Sequence, residues 1–237
     1  MSMSLIAVHG WLGDHRLFDP LLPYLTCAFL DCRGYGDRLH HPGPFTIETI
    51  AADVVSLADR LGWKRFHVLG HSMGGMAAQR LMIDVPDRLQ SAILLAPVPA
   101  CGSRIDAQRR DLLLRAMTEP AVRRELIDAN TGRCRDAVWI EDLLKLSLES
   151  TNPAALGAYL TAWTETDFSR EIAGCDVPAV AICGELDPAV PAALVERTIQ
   201  AWCPNTAVEV LPSVGHYPMR EDPAALASVI LRHLASV

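Results

Sequence analysis

Three side chains of this 237-residue chain sit in settings that acyl-group chemistry requires. A serine lies between glycines in Gly70-His71-Ser72-Met73-Gly74, an aspartate closes Gly184-Glu185-Leu186-Asp187, and a histidine follows a glycine in Val214-Gly215-His216-Tyr217-Pro218. A serine hydroxyl is a weak nucleophile until a base takes its proton, and an imidazole base is most effective when a carboxylate fixes its tautomer. The chain order nucleophile, acid, base is one of the few orders in which such a trio is built.

Each assignment has rivals. Ser72 is singled out by context: an apolar run, Phe66–Gly70, precedes it and a helical stretch, Met73–Asp84, comes directly after it. A strand-to-helix turn this tight strains the serine backbone, lifts its hydroxyl clear of a sheet and leaves room only for small residues two positions away. His216 is preferred among eight histidines because its loop comes after the last apolar run; His67 lies inside a strand, His40 and His41 in a polar loop, and His233 on the final helix. Glu185 competes with Asp187 as the acid, and Asp187 is favoured because the turn must leave the strand before its carboxylate can cross to the next loop. An oxyanion forming at Ser72 needs donors. The main-chain N–H of Met73, at a helix start, and that of Trp11, in His9-Gly10-Trp11 after the first apolar run, are the candidates.

These residues must be held by a scaffold, and the hydrophobic pattern describes it. Short apolar runs at Leu5–His9, Ala28–Asp31, Phe66–Gly70, Ala92–Ala96, Ala179–Cys183 and Val208–Leu211 alternate with helical stretches at Ile47–Leu61, Met73–Asp84, Pro191–Trp202 and Pro223–Leu234. That alternation predicts an α/β fold, a parallel sheet buried on both faces by helices. It is interrupted from about 97 to 168, where charged helical runs such as Ala107–Met117 and Ala121–Asn130 succeed one another; the expectation is one domain, 1–237, with a helical cap inserted at 97–168. Met117, Trp139, Tyr159, Trp163 and Phe168 are the cap residues that could line a substrate pocket, although apolar residues at helical spacing more often form the interior of a lid. The arginines at 104, 109, 110, 115, 123 and 124 could meet an acidic substrate, and most are expected on solvated helix faces.

Composition narrows the partners. A net charge of −7 disfavours nucleic acid and anionic membrane surfaces. The N-terminus lacks a basic leader followed by a long apolar stretch, and no run reaches bilayer-spanning length. Seven cysteines without metal-like spacing read as reduced thiols filling the interior, hence a cytoplasmic protein. The proposed chemistry requires no metal or organic cofactor.

Together these motifs resemble the α/β-hydrolase superfamily over nearly the whole chain. Asp31-Cys32-Arg33-Gly34-Tyr35-Gly36 is similar to its structural D-x-R-G-x-G loop, Gly184 to Asp187 to its G-x-x-D acid turn, and Gly215-His216 with Glu221-Asp222-Pro223 to its histidine loop and final helix. The resemblance implies a sheet shortened to six strands in the order 2-1-3-4-5-6, catalytic groups at its carboxyl edge and a helical cap above. It is strongest toward small capped esterases and lactonases, among them the methyl-ester esterase of biotin synthesis, with its H-G-W loop, and the enol-lactonases. It therefore implies a small-molecule ester or lactone as substrate. Ser72 excludes the dehalogenase pattern, which carries aspartate there. Met76 replaces the arginine of the menaquinone-pathway synthase and weakens a lyase reading. Two alternatives stay open: another reaction on the same trio (C–C bond hydrolysis, amide or peptide cleavage, perhydrolase or lyase chemistry), and a ligand receptor built on the fold.

Overall fold

The computed structural model describes residues 3–237, so the reading of Met1 and Ser2 as part of an unremarkable N-terminus falls outside the described residues. Six parallel strands form one sheet, with helices in the connections between them. β1 (Leu5–Val8) leads through a 3₁₀ turn, His15–Leu21, to β2 (Ala28–Leu30). Next along the chain come α1 (Ile47–Arg60), β3 (Phe66–His71), α2 (Met73–Asp84) and β4 (Leu89–Leu95). Five helices then intervene: α3 (Ala107–Thr118), α4 (Pro120–Asn130), α5 (Ala137–Glu149), α6 (Pro153–Glu165) and the short α7 (Ser169–Ile172). The chain closes with β5 (Ala179–Gly184), α8 (Ala192–Val195), β6 (Thr206–Leu211), α9 (Pro218–Glu221) and α10 (Pro223–Ala235).

The strand order is 2-1-3-4-5-6 with every neighbouring pair parallel, the order implied by the resemblance. β1, β3 and β5 are buried at every residue, which is why they read as unbroken apolar runs rather than alternating ones. α1 shows how a flanking helix is specified. Thr46 caps it by accepting the Thr49 N–H, and Ile47, Ile50, Ala51, Val54 and Ala58 form one buried stripe at helical spacing.

Boundaries differ from the sequence reading in three instructive places. β4 starts at Leu89 rather than Ala92, because polar Ser91 is matched inside the sheet by His67 of β3, at 2.9 Å from hydroxyl to Nδ1. β6 starts at Thr206 rather than Val208. It is an edge strand whose residues 207–210 are partly or fully exposed, so its apolar pattern is weaker than that of the inner strands. The helix expected over Pro191–Trp202 begins after Pro191 and loosens into a π turn at Glu196–Gln200. The cysteines also divide. Cys32, Cys183 and Cys203 are buried as expected, whereas Cys27, Cys101 and Cys175 are half-buried and Cys134 is exposed; all are free thiols.

The helices between β4 and β5 pack mainly on one another, α3 against α4 and α6, and α4 against α5. They are bolted to the sheet's loops. The Gly36 N–H donates to Ser150 O and the Asn152 N–H to Gly34 O, each at 2.9 Å, tying the loop after β2 to the α5–α6 junction. Trp11 Nε1–H reaches Leu156 O of α6 at 2.8 Å.

Candidate active site

Parallel strands deliver their outgoing loops to one edge of the sheet, and the chemistry-bearing residues lie there. Ser72 comes directly after β3, Asp187 after β5 and His216 after β6. Ser72 sits at φ 52°, ψ −112°, a conformation that costs about 1–3 kcal/mol for a non-glycine residue. The turn is enforced by contact. A side chain at Gly70 would collide with the Gly74 carbonyl, and one at Gly74 would lie 2.5 Å from Val8 O. Glycine at both positions lets the serine stand at the mouth of the turn.

The three predicted side chains meet. Ser72 Oγ lies 3.1 Å from His216 Nε2, and His216 Nδ1 lies 2.7 Å from Asp187 Oδ2. All three residues are buried, and the Asp187 side chain fully so. The remaining Asp187 oxygen accepts the N–H groups of Ala189 and Val190 at 2.8 and 3.2 Å, which fixes the carboxylate plane. Glu185 points elsewhere: it is exposed and accepts the Ser213 N–H at 2.8 Å.

His216 is also held through its backbone. Its N–H donates to Asn130 O at the end of α4, and its carbonyl accepts Nε2–H of His71, each at 2.8 Å. The Glu221 carboxylate, fully buried, accepts the N–H groups of Gly215 at 2.9 Å and Tyr217 at 2.8 Å, the two residues flanking the histidine, and pairs with Arg135 Nε at 3.1 Å. Sequence reasoning places Glu221 and His71 within motifs but gives neither a role. Burial, and after it the neighbouring His216, drives the His71 pKa well below its ordinary value, so the ring is neutral and its Nδ1 is a bare acceptor without a protein partner.

Ser72, His71 and His216 line a cavity of about 70 Å³ with Trp11, Trp163 and Tyr217 among its walls. Of the expected pocket residues of the inserted helices, only Trp163 lines it. Tyr159 is buried between Tyr35 and Phe45, with ring centroids 5.7 and 5.6 Å away. Phe168 lies beneath the Arg80 guanidinium at 5.4 Å. Met117 packs toward Gly157 of α6, and Trp139 stands behind Tyr217, at 6.3 Å between centroids. These four are interior or supporting residues: Met117 packs between the inserted helices, and the other three pack them onto the loop after β2, α2 and the histidine loop. The main-chain N–H groups of Trp11 and Met73 donate to no protein acceptor among the described residues. Trp11 lines the cavity, and Met73 opens α2 directly after Ser72.

The expected absence of metal-ligand clusters needs one addition. Among the described residues His15, Asp31 and Asp37 bring their ligand atoms within 4.8 Å of one another. Asp31 there already accepts from His15 Nδ1 and from the His15 and Asp37 main chains, each at 2.8 Å, and none of the three lines the cavity at Ser72.

The fold and this arrangement define an α/β-hydrolase. The chain belongs to the alpha/beta hydrolase family, whose description matches residues 5–229. It is 27% identical over 246 residues to the pimeloyl-[acyl-carrier protein] methyl ester esterase of Pectobacterium atrosepticum, covering 97% of this chain and 93% of that one. It is also 27% identical over 244 residues to the dihydrolipoyllysine-residue acetyltransferase component of the acetoin cleaving system of Cupriavidus necator; the match takes in 98% of this chain but only 63% of that protein. A bromoperoxidase from Bacillus anthracis has the same fold, with a TM-score of 0.90 at 18% identity over 99% of this chain and 92% of the other. No helix among the described residues is long and apolar enough to cross a membrane.

Proposed function

We propose that the chain is a serine hydrolase that cleaves a carboxylic ester or lactone through an acyl-enzyme on Ser72. The observation that carries this reading is the unbroken hydrogen-bonded line Ser72 Oγ–His216 Nε2–His216 Nδ1–Asp187 Oδ2, at 3.1 and 2.7 Å, opening on a cavity. Identity of 27% to a methyl ester esterase over nearly the full length of both chains supports it.

The geometry supports a two-step acyl transfer. His216 Nε2 takes the Ser72 proton as Oγ bonds to the acyl carbon, and the carbonyl electron pair moves onto oxygen. Asp187 holds the Nδ1 proton in place and stabilises the imidazolium. The oxyanion is received by the N–H groups of Trp11 and Met73, which cost no reorganisation because they have no other acceptor. The oxyanion then collapses, the bond to the alkoxide breaks, and His216 gives its proton to the departing oxygen. A water enters, loses its proton to His216 and attacks the acyl carbon; the acid leaves and Ser72 regains its proton. Each side chain ends as it began, with no group required beyond the chain's own residues and water.

The inserted helices, residues 97–168, act as a cap over this edge of the sheet, contributing Arg109, Leu113, Leu126, Asn130 and Trp163 to the walls of the cavity at Ser72. A panel of p-nitrophenyl esters from acetate to octanoate, with Ser72→Ala as blank, tests the reading. A burst of p-nitrophenol followed by steady turnover is expected for an acyl-enzyme. Turnover of amides or β-diketones but of no ester or lactone would assign another reaction to the same trio.

A further inference from the structure

Among the arginines of the inserted helices, Arg109 stands apart. Arg104, Arg110, Arg115 and Arg124 form surface ion pairs, and the guanidinium of Arg123 is spent on the carbonyls of Ala116, Ser147 and Met117. Arg109 is half-buried, and its guanidinium has no hydrogen bond or ion pair among the described residues. The carboxylates near enough to act on it are already engaged: Asp187 holds His216, and Asp106 caps α3 by accepting the Arg109 N–H at 2.7 Å. Burial weakens its hold on its proton, as expected for a cation withdrawn from water without a partner. A guanidinium in this state offers up to five donors in a planar fork suited to a carboxylate or phosphate.

Its position gives that fork a use. Arg109 lines the cavity at Ser72 and also a second, larger one of about 450 Å³; Ser103, Asn130, Trp163 and Ala189 are likewise common to both, so the two spaces adjoin. The larger cavity is lined by two further arginines, Arg104 and Arg197, and by no aspartate or glutamate. Arg104 is paired with Asp167, while Arg197 donates only to the Ala193 carbonyl. In a chain with 28 acidic and 21 basic residues, two arginines on one cavity without an acidic partner among the described residues, Arg109 and Arg197, concentrate positive potential beside the nucleophile.

We propose that this larger cavity is an anion subsite, and that the ester cleaved at Ser72 carries an oxyanion group, a carboxylate or a phosphate, on the portion that extends past Arg109. Arg109 binds that group through its fork, and Arg197 adds an outer charge. The proposal rests on Ser72 being the nucleophile, but the subsite itself can be measured without catalysis.

Matched esters provide the first arm. The anion is placed on the acyl side by p-nitrophenyl hemiglutarate against p-nitrophenyl pentanoate, and on the alcohol side by 4-acetoxybenzoate against its methyl ester. At least one charged ester should exceed its neutral partner in kcat/KM by about 10-fold or more, an advantage that shrinks as salt is added. Arg109→Gln should abolish the advantage, so that within the variant each charged ester falls to the kcat/KM of its neutral partner, and no hydrogen bond or ion pair of the fold is lost with the side chain. The second arm titrates Ser72→Ala protein calorimetrically with glutarate and with glycerol 2-phosphate, which also tells a carboxylate site from a phosphate site. Binding that disappears in the Ser72→Ala, Arg109→Gln double variant supports the subsite even if no ester is turned over, in which case only the hydrolase reading fails. Equal use of charged and neutral esters together with no binding of either anion, or a charge preference or binding that is undiminished in Arg109→Gln, overturns the proposal.

Discussion

Replacing Asp187 by asparagine removes a charge while keeping the shape, and the hydrogen bonds around the carboxylate decide how the new amide must sit. One Asp187 oxygen accepts from the N–H groups of Ala189 and Val190, and the other faces His216 Nδ1 at 2.7 Å. An asparagine must keep its single oxygen toward the two N–H donors, which turns its NH₂ toward Nδ1. A donor there forces Nδ1 to become the acceptor, so the imidazole proton moves to Nε2 and faces Ser72 Oγ, and a protonated Nε2 cannot take the serine proton. The expected loss in kcat is about 10²–10⁴-fold, or about 3–5 kcal/mol of transition-state stabilisation. Stability should change less, because the asparagine still satisfies Ala189 and Val190; loss of one charged hydrogen bond, about 1.5–3 kcal/mol, would lower the melting temperature by several degrees. The assay is steady-state hydrolysis of p-nitrophenyl acetate beside thermal melts, with Glu185→Gln as comparison. Glu185 serves only the Ser213 N–H, so its variant should retain nearly full kcat. The reasoning is refuted if Asp187→Asn keeps wild-type kcat, or if Glu185→Gln is the more damaged of the two.

Neighbouring contacts carry further expectations. Glu221→Gln replaces a carboxylate that fixes both residues flanking His216 with a group having one accepting oxygen, so kcat should fall about 10-fold or more with KM little changed; unchanged kcat in the folded variant would remove Glu221 from any positioning role. Trp163→Ala, which enlarges the cavity at Ser72, should shift preference toward longer acyl chains, whereas Trp139→Ala, behind Tyr217, should mainly lower the melting temperature; the same chain-length profile in both folded variants would contradict this. Burial alone would raise the Asp53 pKa, but hydrogen bonds from Arg33 (2.9 Å) and Arg38 (2.8 Å) outweigh it and hold the carboxylate below its ordinary value. A depressed folded value means that the stability it contributes is present above the unfolded pKa of about 4 and is lost as pH falls through the folded value. Melting temperature should therefore drop less steeply below about pH 4 in Asp53→Asn than in wild type, and parallel acid limbs would show that the pairing contributes nothing.

What was legible in the sequence divides along physical lines. Strands buried on both faces announce themselves as apolar runs, and the Gly70–Gly74 turn is so constrained that residue types alone mark it. The meeting of Ser72, Asp187 and His216 was expected from such local signals and their chain order, and the order of the sheet from the resemblance those motifs carry. The pocket wall was not, because it depends on how the inserted helices rotate against one another. Tyr159 and Trp163 lie four residues apart on α6, yet the former packs on Tyr35 and Phe45 while the latter reaches the cavity. Arg109 could not be separated from its neighbours, since α3 carries three arginines and only the packed structure shows which of them lacks an acid. Glu221 was visible as part of a motif, but its grip on Gly215 and Tyr217 depends on α9 folding back onto the histidine loop.

The central claim is that Ser72 attacks an acyl carbon, and covalent labelling tests it most directly. A fluorophosphonate mimics the tetrahedral centre and is captured only by an activated serine. Incubation with the probe and then peptide mapping should place one label per chain on Ser72. Labelling should be lost in Ser72→Ala and should fall by orders of magnitude in His216→Ala, in step with turnover of p-nitrophenyl acetate. A label on a different serine, or ester hydrolysis that persists undiminished in Ser72→Ala, would contradict the account.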